Sequence, residues 1–477
     1  MPPDAPSLLR FLLAAALWML PGWAMERPLF RGREPLARLG YAGAAAVAVS
    51  TTLAFAAHLL GIPATELALL LYGAAAGSAV LLILSMRRMP RDATPQEDGG
   101  PGLWTRAMAT ASLLLLAVAG WRGGATMRYT GDGPDHVGMI REVLASGSFF
   151  PTEAFHIGAG ILGADPRKGL LHPVYGALAT ISGLDPVALW SFLPLLAGPF
   201  LLAAGYLFLR GLHQRPAWAL AGAWLLLLTW NRGLGGGLLS FSPYPNQMGE
   251  GMYWAAAGTV LMATARRGRA GRLGGGGTAE AAGAALLLFG TIAAHTMYLV
   301  FLSIFGLLAL AAVLVVRRAP RVECGFLFLT AGLAALPLLP YLLVRQSAYA
   351  AANPIHTELQ GMLLLGGGLF IADPLRLWRD VGLLGPVAYL LAVLLLARRW
   401  RADRGIFVIF WGAVAVLLLT LDPWLVPLVQ RHLSYLVFRF FWFLPAAAVA
   451  VVLAGAMGAT VTRRRRFAVL AMLLLGA

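Results

Sequence analysis

The sequence predicts an all-α, polytopic integral membrane protein of about 13 transmembrane helices. Hydrophobic residues make up 59% of the 477 residues and charged residues only 12%, with a mean hydropathy of +0.75. Soluble domains carry roughly 25% charged residues, so a soluble fold is excluded. Apolar runs recur along the chain at close to the 20 or so residues that a spanning helix needs. Short arginine clusters separate these runs.

The net charge of +16 comes largely from those clusters. Basic clusters between apolar runs are typical of cytoplasmic loops, so no nucleic-acid partner is expected. With the N-terminus outside, every cluster falls on the cytoplasmic side. The clusters are 27–38, 87–91, 210–215, 266–272, 317–321, 398–404 and 463–466. The expected location is therefore a bacterial-type plasma membrane, with any active site on the extracytoplasmic face.

Residues 1–121 form the first region, a set of N-terminal transmembrane helices. Its expected spans are 8–25, 39–61, 64–86 and 103–121. The run 8–25 could be a signal peptide, but no positive charge precedes Arg10, which favours a first span. The stretch 87–102 is rich in Pro, Gly and acids, as in a cytoplasmic linker.

Residues 122–186 form the second region, a large extracytoplasmic loop around which the rest of the chain is organised. The apolar pattern stops there for roughly sixty residues, and the loop holds the only lysine, Lys168. The stretches 136–146 and 169–182 each gather their apolar residues on one helical face. We expect two helices lying at the membrane interface, framing an acidic turn.

Residues 187–477 form the third region, a transmembrane helical part with outer loops 231–251, 346–380 and 422–440. Its single spans are 187–209, 217–230, 252–265, 326–344, 381–397, 406–421 and 441–461. The long apolar run 280–316 has arginines on both sides, so it must cross an even number of times, with a turn near His295–Thr296. The last run, 467–477, is too short to cross alone.

Asp132, Asp135 and His136 stand together in the acidic turn of the loop. Asp135 could simply cap the following helix, as Asp185 is expected to do before the span at 187. A cap explains one acid but not two acids and an imidazole within five residues. If a divalent metal such as Mg²⁺ or Mn²⁺ takes part, Asp132 and Asp135 are its expected ligands.

Other candidates lie in the remaining outer segments. Arg431, His432 and Arg439 occur in an aromatic-rich stretch, where interfacial anchoring is the alternative reading. His295 falls at the turn of the expected hairpin, where a hydrogen bond to a turn carbonyl is the alternative. The stretch 244–250, which ends in Glu250, could contact sugar hydroxyls or be a simple loop. The single cysteine, Cys324, excludes an intramolecular disulfide and any cysteine-based metal site.

Two stretches of the loop, DGPDHVGMIREVLASGSFFP and GLLHPVYGALATISGLDPV, resemble the first outer loop of the GT-C superfamily of glycosyltransferases. The span entry RFFWFLPAAAVAVVLAG at 439–455 is also similar to a late span of that family. The family usually has adjacent acids or an Asp-x-Asp motif, whereas two residues separate Asp132 from Asp135 here. The resemblance implies a polyprenyl-phosphate-linked sugar donor and a glycan, lipid or protein acceptor within the lipid bilayer.

The expected function is inverting sugar transfer on the extracytoplasmic face. Asp135, with Asp132 as its partner, supplies the carboxylate base for the acceptor hydroxyl. Cationic or imidazole groups bind the donor phosphate or the substrate. These are His136, His295, Arg431, His432 and Arg439. The alternatives are a transporter or flippase, which should carry ionisable groups deep in its helices, and a polymerase or ligase of lipid-linked glycans, whose large outer loop usually comes late.

Overall fold

A computed structural model describes residues 4–29, 34–87, 102–127, 133–151, 169–229, 244–316, 320–349, 361–381, 384–433, 437 and 439–457. Several residues of the sequence predictions lie outside these ranges. They are Asp132, the linker 88–101, the segments 152–168 and 230–243, and the final run 467–477.

The N-terminal part contains α1 (Ala5–Leu29), α2 (Pro35–Leu59), the 3-10 turn η1 (Ala64–Glu66), α3 (Leu67–Arg87) and α4 (Leu103–Met127). The middle part contains α5 (Gly133–Ser146), α6 (Leu171–Ser182), α7 (Pro186–Phe192), α8 (Pro194–Gly211), α9 (Pro216–Thr229), α10 (Pro245–Ala270), α11 (Gly274–Ala294), α12 (Tyr298–Val315) and α13 (Pro320–Ala348). The C-terminal part contains β1 (Met362–Gly366), β2 (Leu369–Ala372), α14 (Pro374–Val381), α15 (Leu384–Leu396), α16 (Arg404–Leu421), α17 (Leu425–Leu433), α18 (Phe440–Phe443) and α19 (Ala446–Met457).

Within the described ranges, nine helices are long and apolar enough to cross a membrane. The chain is therefore an integral membrane protein, as its composition predicts. Three shorter apolar helices, α9, α15 and α19, lie at further predicted spans. The count of about 13 crossings stays a prediction.

The turn predicted in the apolar run 280–316 is confirmed. The helix α11 ends at Ala294, His295 is extended with φ −158°, and α12 begins at Tyr298. The prediction rested on the arginines at both ends of the run, which favour a return of the chain to the side from which it came.

The loop predicted at 231–251 is wrong at its C-terminal end, because α10 begins at Pro245. Proline suits the first turn of a helix, where its missing N–H is not needed. Gly249 and Gly251 suggested a flexible loop but instead permit close packing. A Cβ on Gly249 would lie 2.3 Å from the Tyr298 ring, and one on Gly251 would lie 2.6 Å from Phe200.

The outer loop predicted at 346–380 contains a two-stranded antiparallel hairpin, which an all-α prediction misses. β1 and β2 pair with Met362 opposite Ala372. Gly366 ends β1 and Gly367 and Gly368 form the turn, and the three have φ values of 93°, 61° and 77°. Only glycine adopts such angles in succession without strain, and α14 follows directly.

Both helices predicted in the long loop form, as α5 and α6. The prediction that they rest on the membrane interface fails for α6, which is buried on all sides from Leu171 to Ala179. It packs against α1, α2, α3, α5 and α7. The N–H of Leu170 donates to the carbonyl of Ala293 at 2.7 Å, which joins this layer to the end of α11.

The two ends of the bundle differ in the side chains that they carry. At the basic end, arginines from the predicted cytoplasmic clusters pair with acids. These pairs are Arg38–Glu26, Arg210–Glu34, Arg267–Glu280 and Arg404–Glu323. The loop end carries α5, α6, the start of α10 and the break between α11 and α12. The buried polar side chains that follow lie at the loop end.

Candidate functional site

Buried polar side chains from four helices lie at the loop end. We call them the histidine–glutamate site, and its members are His136, His172, Glu250 and Tyr298. Each is at most 5% exposed. The start of α10 joins the two halves of this site, because Tyr244 contacts His136 while Asn246 and Glu250 contact Tyr298.

The two histidines form a buried pair. The Nδ1 atom of His136 lies 2.9 Å from the Nε2 atom of His172, so one ring donates the hydrogen bond and the other accepts it. Their rings are nearly parallel, with centroids 5.2 Å apart. Trp190 and Tyr244 pack against His136 at 5.5 and 4.8 Å. The imidazole pair is therefore enclosed by aromatic rings.

Local sequence explains why these rings point inward. His136 shares the buried face of α5 with Ile140 and Val143, at helical spacing. His172 lies in the first turn of α6, beside the backbone tie from Leu170. A Cβ at Gly169 would lie 1.9 Å from the carbonyl oxygen of Ala293, so glycine is required for this close approach.

Glu250 is fully buried in α10. The Tyr298 hydroxyl lies 3.0 Å from its Oε2 atom and 2.5 Å from the carbonyl oxygen of Asn246. A tyrosine hydroxyl carries a single proton and cannot satisfy two acceptors fully. The shorter contact goes to Asn246, so the Tyr298 proton is donated to that carbonyl. Glu250 then keeps its own proton and donates it to the Tyr298 oxygen, which satisfies both groups. The Trp254 side chain, one turn further along α10, is a second hydrogen-bond partner of the Glu250 carboxyl group.

Arg439 places a positive charge near Tyr298. Its charge acts on the Tyr298 hydroxyl, and its guanidinium lies over the Trp442 ring at 4.7 Å. The helix break after α18 is closed by two tyrosines. The hydroxyl of Tyr253 donates to the carbonyl of Phe443 at 2.7 Å, and that of Tyr389 donates to the carbonyl of Leu444 at 2.5 Å.

Of the predicted residues, His136 is a member of this site, and His295 and Arg439 lie near Tyr298. The buried ring of His295 lies 5.8 Å from the ring of Tyr298. Arg431 lies exposed on α17, which packs against α16 and β2. Asp132 and the side chain of His432 lie outside the described residues.

Asp135 lies half-buried in the first turn of α5, next to His136. Because α5 begins at Gly133, Asp135 is inside the helix and not at the cap position. A carboxylate in the first turn is still favoured by the helix dipole. The cap predicted for Asp185 is confirmed, since its side chain accepts from the N–H of Val187 at 2.8 Å.

The sequence interpretation missed His172, Tyr298 and the burial of Glu250. One signal was present for Glu250, because it is the only acid between Asp185 and Glu280. A lone acid beside a spanning segment indicates a functional position. No such signal marks His172, which is 36 positions from its partner. Among the described residues, no group of three or more His, Cys, Asp or Glu is placed to hold a metal ion.

An apolar cavity of about 490 Å³ lies elsewhere in the bundle. Side chains of α1, α2 and α8 line it, among them Trp18, Val47 and Phe200. Its wall also includes Met248 of α10, which is two positions from Glu250. Residues two apart on a helix face different sides, so the cavity reaches α10 without including the Glu250 side chain in its wall.

Comparison of the chain with family models, with curated proteins and with solved structures gives no match. The functional assignment therefore depends on the residues and geometry of the site itself.

Proposed function

We propose that this protein transfers a sugar from a polyprenyl-phosphate donor to a glycan, lipid or protein acceptor. The reaction would occur on the extracytoplasmic face of a bacterial-type plasma membrane, at the loop end of a bundle with about 13 crossings. The observation that carries the proposal is the cluster of buried polar side chains at the loop end of a bundle that also holds an apolar cavity of about 490 Å³. A lipid-linked sugar needs an apolar space for its chain and polar groups for its phosphate and sugar.

The base in this proposal is Asp135. The acceptor hydroxyl oxygen attacks the anomeric carbon while the bond from that carbon to the phosphate oxygen breaks. The hydroxyl proton passes to the Asp135 carboxylate, and polyprenyl phosphate leaves with the bonding electrons. The N-terminal dipole of α5 favours the ionised carboxylate that this step needs.

The donor phosphate is bound by the cationic and imidazole groups of the loop end. His136 adjoins Asp135 along α5, while His295 and Arg439 lie near Tyr298. Arg431 and His432 remain part of the proposal as groups that meet the lipid phosphate as it approaches. Charge-assisted hydrogen bonds from such groups stabilise a phosphate leaving group.

Glu250 has a different role from the base. As a neutral carboxylic acid, it holds Tyr298 in place and presents polar atoms to the sugar hydroxyls. If a divalent metal such as Mg²⁺ or Mn²⁺ takes part, Asp132 and Asp135 are the residues that would hold it, and it would neutralise charge on the phosphate.

The test is release of polyprenyl phosphate from a panel of polyprenyl-phosphate hexoses by purified protein in proteoliposomes containing membrane lipid acceptors. Asp135→Asn should lower the rate by about a hundredfold or more, because Asn cannot accept the proton. Asp185→Asn is the matched control, since Asp185 is an exposed acid on the same loop that only caps α7 and pairs with Arg141. Equal rates for Asp135→Asn and the wild-type protein would remove the base assignment.

A flippase of lipid-linked glycans is the second candidate. The observations that favour it are the fully buried Glu250 and the helix breaks at His295 and Leu444, because transporters place ionisable groups and broken helices near their substrates. The same proteoliposomes distinguish the two functions. Movement of a fluorescent lipid-linked sugar between leaflets, with no release of polyprenyl phosphate, would favour the flippase.

A further inference from the structure

The hairpin formed by β1 and β2 has no polar side chain. Residues 362–372 read MLLLGGGLFIA, and Leu363, Leu364 and Leu365 of β1 are 44%, 65% and 52% exposed. Successive residues of a strand point to opposite faces. Both faces of β1 therefore expose leucine, whereas a hairpin with one face in water alternates apolar and polar residues.

The hairpin projects from a rigid base. The N–H of Asp373 donates to the carbonyl of Gly361 at 2.9 Å, and the Arg376 side chain packs over Gly361. Phe370 and Ala372 of β2 are buried, and this strand packs against α16 and α17. The exposed leucines of β1 are thus held away from the bundle and do not collapse onto it.

The neighbouring short helices have the composition of a membrane interface. On α14, Leu375 is 70% exposed and Trp378 is 57% exposed. Just before and along α17, Trp424 and Leu428 are 73% and 54% exposed, and Arg431 is also exposed. Trp and Arg beside apolar side chains are typical of the boundary between lipid headgroups and acyl chains.

This apolar surface continues onto a helix that is apolar along its length. The helix α15 follows α14 directly and exposes Leu390 and Leu394. The hydroxyl of Tyr389, in the first half of α15, donates to the carbonyl of Leu444, so the N-terminal half of α15 lies towards the loop end. An exposed leucine surface continuous with a lipid-facing helix is best covered by lipid.

We propose that the hairpin, α14 and α17 form one membrane-interface element that rests in the leaflet on the loop-end side of the bilayer. Its depth follows from the backbone. Within the described residues each strand pairs only with the other, so the outer edges of the hairpin leave N–H and C=O groups without strand partners. Such groups are too costly for the hydrocarbon centre. The element therefore lies at the boundary of headgroups and acyl chains, where water still reaches the backbone.

The test measures the depth of single labels on the full-length protein. In a Cys324→Ser background, Leu364→Cys and Leu365→Cys each receive an environment-sensitive fluorophore, and the protein is placed in nanodiscs that hold a single copy. Both labels should be quenched by lipids with a nitroxide near the headgroup, less by lipids with a nitroxide at the chain end, and little by aqueous iodide. Ala402→Cys, exposed at the basic end of the bundle, is the matched control that iodide should quench.

Three outcomes overturn the proposal. Iodide quenching at Leu364 and Leu365 as strong as at Ala402 would place β1 in water. Lipid quenching at only one of the two positions would mean that protein covers the other face. Iodide quenching in single-copy nanodiscs that disappears in concentrated detergent solution would identify a second copy as the cover. Because the readout is depth and not turnover, it is independent of the proposed sugar transfer.

Discussion

The Nδ1 atom of His136 lies 2.9 Å from the Nε2 atom of His172, and this contact joins the two helices of the long loop. Both rings are buried. Leu170, two positions before His172, is bonded to Ala293 at the end of α11. The pair therefore fixes the position of α5, and with it Asp135, relative to the transmembrane bundle.

Replacing His172 should reveal the value of this contact. His172→Leu removes a buried hydrogen-bond partner and should cost about 1–3 kcal/mol. His172→Gln keeps a donor and an acceptor and should cost less. We expect the midpoint of thermal denaturation in detergent to be highest for the wild-type protein, lower for His172→Gln and lowest for His172→Leu. His58→Leu serves as control, since the half-buried His58 ring makes edge contacts with Phe149 and Phe150. If His58→Leu lowers the midpoint as much as His172→Leu does, the bond between His136 and His172 has no particular importance for stability.

Two local features of the fold followed from charged residues in the sequence. The turn at His295 followed from the arginines on both sides of its run, and the Asp185 cap followed from an acid just before Pro186. Glycine was harder to interpret. Gly249 and Gly251 serve helix packing, while Gly366 to Gly368 make a turn, and composition alone does not separate these uses.

The candidate site was only partly predictable, because its members come from distant parts of the chain. His136 and Arg439 could be chosen from their neighbours in sequence. His172 becomes notable only once α6 folds against α5, and Tyr298 only once α12 packs beside the start of α10. The burial of Glu250 depends on the same packing.

We expect the free energy of unfolding to depend on pH through Asp403. It caps α16 by accepting from the N–H of Gly405 at 2.7 Å and pairs with His213 at 3.3 Å. Burial raises the pKa of Asp403, but the hydrogen bond and charge of His213 and the backbone N–H groups outweigh it, so the net pKa lies below its ordinary value. Its stabilisation is therefore present above the unfolded value of about 3.9 and is lost as pH falls through the lower folded value.

Two substitutions separate the cap from the charge. Asp403→Ala should lose about 1 kcal/mol near neutral pH, because it removes the cap. Asp403→Asn keeps the cap and should lose less, but it should also flatten the acid side of the denaturation-midpoint curve. Unchanged steepness below pH about 4 in Asp403→Asn would assign the acid sensitivity to other carboxylates.

Glu323 and Arg404 form a buried pair at the basic end. Glu323→Gln leaves the guanidinium without its counter-charge and should cost about 3–5 kcal/mol. The double variant Glu323→Leu, Arg404→Leu removes both charges. Its loss of stability should be smaller than the sum of the losses in Glu323→Leu and in Arg404→Leu. A double-mutant cycle of denaturation midpoints checks this, and additive losses would show that the two charges do not interact.

The orientation of the bundle can be measured directly. Ser146 ends α5 at the loop end, and Ala270 ends α10 at the basic end; both are exposed. In the Cys324→Ser background, Ser146→Cys should react with a membrane-impermeant thiol reagent in intact cells. Ala270→Cys should react only after the membrane is opened, because the arginines around it favour the cytoplasm. The reverse labelling pattern would invert the orientation and remove the extracytoplasmic site.

Glu250 and Tyr298 give the sharpest test of the site. The Tyr298 hydroxyl has one proton for two acceptors, so we expect Glu250 to be neutral. Glu250→Gln then replaces one donor–acceptor group by another of similar shape. It should leave the denaturation midpoint nearly unchanged and reduce transfer about tenfold or less, as expected for a residue that positions substrate.

Tyr298→Phe is the companion variant. It removes the hydroxyl that bonds Asn246 and Glu250 and should lower stability by about 1–3 kcal/mol, because the buried Glu250 carboxyl group then loses that partner. If Glu250 were instead an ionised partner of Arg439, Glu250→Gln would leave a buried cation and destabilise the protein more than Tyr298→Phe does. The order of the two denaturation midpoints therefore decides the protonation state of Glu250. A higher midpoint for Glu250→Gln than for Tyr298→Phe indicates a neutral acid, and a lower one indicates a carboxylate paired with Arg439.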